Sequence, residues 1–256
     1  IALLAILWGV SSVQAQSVNM SRYITMTVKK GKVIQLDFHG DEENTLVRIV
    51  SGTIDTTINV KSVALPKGFK TDADTMTVYG NIFDFSCAFN YGNVYGLNTD
   101  HNTQLKFLAF NNDSLTTIDV SKNTQLVELE CARNYLTSLD VSHNTKLTFL
   151  NCFGNKLTSL DINNNKELNK LYYFDNPFTT ATLDDIYCSL PDRKGKTPGI
   201  IRPYSGDSSK NKDIVLATNG SNATSKNWKK KKASWRGKKC SNAKAAASAC
   251  RWTTNC

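Results

Sequence analysis

Leu126-Val-Glu-Leu129-Glu-Cys131-Ala-Arg-Asn134-Tyr-Leu136-Thr-Ser-Leu139-Asp140-Val141-Ser142 is followed by Leu147-Thr-Phe-Leu150-Asn-Cys152-Phe-Gly-Asn155-Lys-Leu157-Thr-Ser-Leu160-Asp161-Ile162. The offset is constant: Leu105, Leu126, Leu147 and Leu168 stand 21 residues apart. A period of this length marks stacked units, because one unit cannot hide its own leucines and a neighbour laid on it can. Each leucine so buried is worth roughly 1.5–3 kcal/mol relative to exposure.

The pattern Leu-x-x-Leu-x-Cys-x-x-Asn-x-Leu falls within the leucine-rich-repeat template. The expected fold class is therefore a repeat solenoid of about five 21–23-residue coils over residues 81–190. In the first coil Ile82, Phe85, Cys87 and Asn90 take the two leucine positions, the cysteine and the asparagine. Ile82 to Leu105 is 23 residues, so this coil carries an insertion near Tyr91-Gly-Asn93. In the last coil Leu168, Leu171, Tyr173 and Asn176 fit before Pro177 and Ala181 break the pattern, as expected of a terminal repeat.

Thr182-Leu-Asp-Asp185 resembles a capping box, and Leu183, Ile186, Tyr187 and Leu190 follow with helical spacing. This predicts a short capping helix over 182–190, stopped by Pro191, with Cys188 a small apolar or crevice residue. Ile200-Ile-Arg-Pro203 and Asp213-Ile-Val-Leu216 read as the first strands of a β-rich C-terminal segment over 191–228, the start of a lost domain.

Before the repeats, within a β-rich N-terminal module or cap over 16–80, residues 23–60 alternate polar and apolar. Ile24-Thr-Met26-Thr-Val28, Val33 to Phe38, Leu46 to Ile49, and Ile54 to Val60 are separated by Lys30-Gly31, His39-Gly40-Asp41 and Ser51-Gly52. Pro66-Lys-Gly68 reads as a turn and Met76 to Tyr79 as a strand. Period two predicts short antiparallel strands, hence a small all-β N-terminal module. Such a module covers the open end of a solenoid. Earlier still, Ile1 to Trp8 is apolar and Val13-Gln14-Ala15 suits a signal peptidase, so 1–15 reads as a truncated signal peptide cleaved after Ala15. No cysteine follows Ala15 directly, against a lipid anchor, and no other apolar run is long enough to span a bilayer as a helix.

The net charge of +9 is local. Residues 226–256 hold eight Lys, two Arg and no acid, so the remainder carries 9 minus 10, or −1. Such a tail can bind an acidic polymer or stay solvated. A third reading is that Lys229 to Lys232 mark an A-rich reading-frame slip, the native frame ending near Trp228 and 229–256 being a basic tail derived from it. No nucleic-acid partner is expected.

Cys240, Cys250 and Cys256 fall in that tail, and no Cys-x-x-Cys or Cys/His spacing points to a metal. Cys87, Cys131 and Cys152 share a column with Phe110 and Tyr173, which points inward. Cysteines on adjacent parallel strands lie about 4.8 Å apart, wider than the roughly 3.5–4.5 Å between Cβ atoms that a disulfide prefers, so free buried thiols are expected. Asn90, Asn134, Asn155 and Asn176, with Asp113 breaking the series, form a ladder whose amides can satisfy buried backbone groups. Asp119, Asp140 and Asp161, with Asn98, recur once per coil and read as structural. His101 and His143 are surface choices, and His39 stands alone in a turn.

With Leu136-Thr-Ser-Leu-Asp-Val-Ser142, Asn144-Thr145, and Cys131 and Cys152 in the strand, the repeat resembles the cysteine-containing leucine-rich repeats of internalin-J-like surface proteins. It is similar also to exported proteins of Bacteroidetes, over about residues 76–190. The resemblance implies an exported bacterial protein, periplasmic, cell-surface or secreted, without enzymatic activity or cofactor, that works in adhesion or host-surface binding.

Strand residues between the inward ones face outward on the concave side. Candidate ligand-binding residues there are Phe107, Glu128, Glu130, Phe149, Asn151, Phe153, Lys170, Tyr172 and Phe174. Phe149, Phe153, Tyr172 and Phe174 are expected to form one exposed aromatic patch, as interaction sites do. The expected function is binding of a protein or glycan through this face. The alternative is a structural spacer within a larger surface protein. No nucleophile–base pair or phosphate loop supports an enzyme.

Overall fold

Alternating apolar residues build the first layers of the molecule. The computed structural model describes residues 17–42, 44–60, 66–204, 212–218 and 220–231. The signal peptide expected at 1–15, and the tail from 232 with its three cysteines, lie outside these residues. Strands β1 (Tyr23–Val28), β2 (Val33–Gly40), β3 (Thr45–Ser51), β4 (Ile54–Val60), β5 (Lys67–Lys70) and β6 (Thr75–Tyr79) precede the repeats. They are followed by β7 (Ile82–Ser86) and β8 (Val94–Asn98). One antiparallel sheet has the order β4-β3-β6-β1-β8. Its buried residues, among them Ile24, Met26, Ile49 and Val78, join Ile34, Leu36 and Phe38 of β2 in one core with the repeat leucines.

The first coil is held on both sides. On one side β7 pairs antiparallel with β2. On the other, β8 leaves the repeat and pairs antiparallel with β1, which is where the extra length of this coil is used. Two expected turns are strand instead. His39 and Gly40 belong to β2, and Lys67-Gly68 to β5, because β2 finds partners on both edges and stays extended. His39 is accordingly not alone: its Nδ1 lies 2.9 Å from Oδ2 of Asp84, its cross-strand neighbour.

From β7 the chain climbs in parallel through β9 (Phe107–Ala109), β10 (Glu128–Glu130), β11 (Phe149–Asn151) and β12 (Lys170–Tyr172). Phe85, Leu108, Leu129, Leu150 and Leu171 stand in register, all fully buried. Three residues after each short strand comes a left-handed residue: Phe89, Asn112, Arg133, Gly154 and Asp175 have φ between 55° and 66°. That turn places the next column, the asparagine ladder, under the coil.

The C-terminal part departs from expectation. Helix α1 (Thr180–Ser189) begins earlier, and its capping box joins Thr179 to Thr182 rather than Thr182 to Asp185. Thr182 N–H donates to Thr179 Oγ1 at 3.2 Å and Thr179 N–H to Thr182 Oγ1 at 2.8 Å. After it, β13 (Gly199–Arg202) pairs parallel with β12, and β14 (Trp228–Lys230) parallel with β13. Residues 191–228 thus continue the solenoid sheet, and α1 is the outer leg of a longer coil. Asp213 to Leu216, expected as strand, lies in helix α2 (Lys212–Ala217), with α3 (Ser221–Ser225) behind it. These helices form the outer leg between two sheet strands, and Asp213 sits in the first turn of α2, where an acid suits the N-terminal dipole. Trp228 is buried, and its Nε1 donates to the Pro191 carbonyl at 2.8 Å, so the sheet runs past the expected boundary at 228. Cys188 is exposed, on the helix face away from Leu183, Ile186 and Tyr187. Its sulfur accepts from Asn222 Nδ2 at 3.1 Å.

Candidate binding face of the solenoid

Parallel in-register strands place like positions in columns. Asp84, Phe107, Glu128, Phe149, Lys170 and Ile200 form one outward column, and Ser86, Ala109, Glu130, Asn151, Tyr172 and Arg202 the next. All the proposed face residues on the strands therefore share the sheet side opposite the leucines. Their exposure differs from expectation. Phe149, Phe153, Tyr172 and Phe174 are only 9%, 5%, 3% and 4% exposed and pack with Ala132 as a separate apolar cluster. Rungs about 4.8 Å apart bring ring onto ring. Phe153 and Phe174 stack at 4.3 Å, and Phe149 meets Tyr172 edge-on at 5.0 Å. Cations complete the cover, with Arg133 over Phe153, Arg202 over Tyr172 and Lys170 over Phe149. Burial pushes the Tyr172 hydroxyl pKa up, Arg202 partly opposing it.

What this face leaves open to a partner is charge at Lys170 and Lys229 and, in part, at Asp37, Glu128 and Arg202, while Asp84, Asn111, Glu130 and Asn151 are buried. Lys170 is exposed, and Phe107 and Glu128 are half-buried. Glu130 is buried, its Oε2 accepting from Asn111 Nδ2 at 3.0 Å and Asn151 Nδ2 at 3.4 Å. Read along the rungs, the face is acidic at Asp37, Asp84, Glu128 and Glu130, aromatic in the middle, and basic at Lys170, Arg202 and Lys229.

The ladders lie beneath and beside it. Asn134, Asn155 and Asn176 each accept from a backbone N–H of the preceding coil, of Leu115, Leu136 and Leu157. Their Nδ2 groups donate to carbonyls of their own and the preceding coil, Asn155 to Cys152 and Cys131 for example. Asn90 does the same for Gln35 of β2, which ties the N-terminal module to the first coil. Asp113 has no amide to offer, and burial raises its pKa to about 8. Cys87, Cys131 and Cys152 are buried free thiols, with Cys152 pushed up to about 12 by burial. Asp119, Asp140 and Asp161 each accept from the N–H two residues on.

A second ladder escaped the sequence reading. Asn102, Asn123, Asn144 and Asn165 are fully buried at the turn into each strand. Asn144 Nδ2 donates to the Val120 and Asn123 carbonyls at 2.9 Å, and Asn165 repeats this one coil on. The 21-residue recurrence was there to signal it. His101 and His143 are exposed, His101 stacking on Tyr23 at 4.2 Å. Among the described residues no group of three or more His, Cys, Asp or Glu could hold a metal, and no helix is long and apolar enough to cross a membrane.

No family model matches the sequence, and neither does any curated protein. Among solved structures, 50% of the chain is similar to the functional domain of InlJ from Listeria monocytogenes, which includes a cysteine ladder. The identity is 30% and the TM-score 0.40, with 26% of that chain covered. An internalin of Listeria monocytogenes, inlF, is similar over 36% of this chain and 35% of its own, at 23% identity and TM-score 0.28. A leucine-rich-repeat protein of Leptospira interrogans is similar over 36% and 31%, at 23% identity and TM-score 0.29. The chain thus spans between about a quarter and a third of the length of these structures. By its parallel rungs, asparagine ladders and buried cysteine column, the chain is a leucine-rich-repeat solenoid.

Proposed function

We propose that this is an exported bacterial protein that binds a protein partner through the concave side of its parallel sheet, in an adhesive or surface-recognition role and without chemistry of its own. The observation that carries the reading is the order of accessible charge along the rungs: Asp37 and Glu128 before the ring cluster, then Lys170, Arg202 and Lys229. Fixed charge of both signs on a rigid sheet selects partners by complementarity and sets the association rate more than the final affinity. The buried rings keep the face stiff, and the N-terminal module acts as its cap.

The test uses the full chain against extracts of host or neighbouring-cell surface proteins. Capture should weaken when Lys170 or Lys229 is changed to Glu, and fall with added salt. A binding profile indifferent to both charge reversals and to ionic strength would remove the concave face from consideration.

A further inference from the structure

A second surface lies off the sheet, on the flank where each coil turns out of its strand. A cavity of about 630 Å³ opens there, with Tyr91, Asp113, Ser114, Arg133, Tyr135 and Asp175 in its lining. Backbone bonds fix the order of its walls. Tyr91 N–H donates to the Asn112 carbonyl at 3.0 Å and Tyr135 N–H to the Leu115 carbonyl at 2.9 Å. The two tyrosines therefore stand on the coils before and after the one that carries Ser114. Tyr91 is 77% exposed and Tyr135 49%. Lys156, from the following coil, lies over the outer face of Tyr135, 5.0 Å from its centroid. The other face of that ring looks back across Ser114 toward Tyr91. Small residues keep the floor low, since Gly92 lies against Ser114 and a Cβ there would be 2.8 Å from Ser114 Oγ. The result is a slot with a ring on each side.

Width and charge select the occupant. Two rungs of about 4.8 Å separate the tyrosines by roughly 10 Å. Carbon contacts of ~3.5–4.0 Å against each ring leave about 2–3 Å for the occupant itself, roughly the distance between two methyl carbons on one nitrogen. A flat ring is too thin to touch both walls. A cation at the centre would lie about 5 Å from each ring, inside the ~6 Å over which an aromatic face attracts it. The lining is acidic: Asp113 and Asp175 are set against Arg133, which lies over the Phe153 ring at 5.4 Å. Asp113 is 5% exposed, and its Oδ2 has no hydrogen-bond partner among the described residues. Burial raises its pKa to about 8, and a cation in the slot favours release of that proton. The other titratable or charged groups around Asp113 are Tyr91, Arg133, Tyr135 and Asp175 in the lining, Cys87, whose thiol Asp113 pushes up, and Lys156 behind Tyr135.

We infer that this slot binds a quaternary ammonium group of the choline type, held between the Tyr91 and Tyr135 rings with the carboxyl groups of Asp113 and Asp175 in the same cavity. The site is separate from the sheet face and operates whether or not that face has a partner.

Titration calorimetry of the full chain with choline, tetramethylammonium, ethanolamine and dimethylbutanol, the uncharged carbon isostere of choline, tests this, with circular dichroism of each variant as a check on folding. Choline and tetramethylammonium should bind. Ethanolamine, whose ammonium is too small to span the slot, and dimethylbutanol, which lacks the charge, should each bind at least about tenfold more weakly. Tyr91→Ala and Tyr135→Ala, both at exposed positions, should each weaken choline binding roughly tenfold. Ser114→Leu, which fills the slot and leaves both rings in place, should abolish it, while Lys166→Ala at an exposed position elsewhere leaves it unchanged. Choline affinity should rise about severalfold from pH 6 to pH 8.5, and the rise should vanish in Asp113→Asn. Capture by phosphatidylcholine vesicles alongside choline binding assigns a lipid-borne head group, and choline binding without capture a free one. Absence of binding by both quaternary ammonium probes overturns the inference, as does equal binding of dimethylbutanol or binding that survives both tyrosine substitutions. An affinity indifferent to pH removes Asp113 from the site and with it the acidic lining the inference requires.

Discussion

The backbone N–H of Asn90 donates to Oδ1 of Asp113 at 3.2 Å, in the column where every other coil carries an asparagine. Asparagine at this place donates as well as accepts. Asn134, one coil on, gives its amide protons to Phe110 and Cys131 carbonyls. A carboxylate has nothing to donate, and Oδ2 of Asp113 has no hydrogen-bond partner among the described residues, so Asp113 keeps only the accepting half of the asparagine's role.

The pH dependence follows. Burial holds the Asp113 pKa at about 8, above its ordinary 3.8. The folded state therefore keeps a proton that the unfolded state has released between those values. The stability it supports is complete below about pH 4 and is lost at about 1.4 kcal/mol per pH unit as pH rises toward 8. Asp113→Asn should flatten this slope and stabilise the fold at pH 8 and above. Urea denaturation at pH 5, 7 and 9 measures it, and an unchanged slope in the variant would assign the dependence to other groups.

The second ladder predicts a measurable cost from a small deletion. Asn144→Ala removes the amide donor shared by the Val120 and Asn123 carbonyls, each of which keeps a backbone N–H, of Asn123 and Leu126, so the loss is roughly 0.5–1.5 kcal/mol for each bond removed. Asn164→Ala, one residue before the equivalent Asn165 and exposed, should cost less than about 0.5 kcal/mol. Paired chemical denaturation curves separate the two.

Thiol reactivity should divide by burial. Cys188 is exposed and should alkylate in the native protein. Cys87, Cys131 and Cys152 are fully buried, with burial raising their thiol pKa values, so they should label only on unfolding. Peptide-resolved mass spectrometry after a short iodoacetamide pulse reads this. A Cys131–Cys152 bridge found in the same experiment would contradict the free-thiol column.

The ring cluster belongs to stability more than to contact. Phe153→Ala should cost up to about 3–5 kcal/mol, as loss of a packed aromatic does, because it removes the stack on Phe174 and the seat of Arg133. Thermal unfolding checks this, and a variant as stable as the parent would return these rings to the role of exposed anchors.

Much of the solenoid was legible because its residues obey one period. Leu105, Leu126, Leu147 and Leu168 announce the rungs, and each alternate residue of β9 to β12 falls on the side its position demands. Exposure was not legible in the same way. Whether Phe149 faces water depends on Tyr172 one rung away and on Lys170 above it, a relation across coils that no single coil contains. The last rungs were hidden for a different reason. Ile201 follows Leu171 by 30 residues rather than 21, since α1 replaces a short outer leg, and period reading stops where the leg lengthens.

The double hold on the first coil also sets the order in which the chain can fold. Thr25 pairs with Asn98 across 73 residues, whereas Leu129 meets Leu150 across 21. Closing the longer loop costs more chain entropy before any contact rewards it, so contacts of high sequence separation are the slow ones. Docking the N-terminal module on the first coil is therefore the slow closure, whereas the later rungs pair through short local steps.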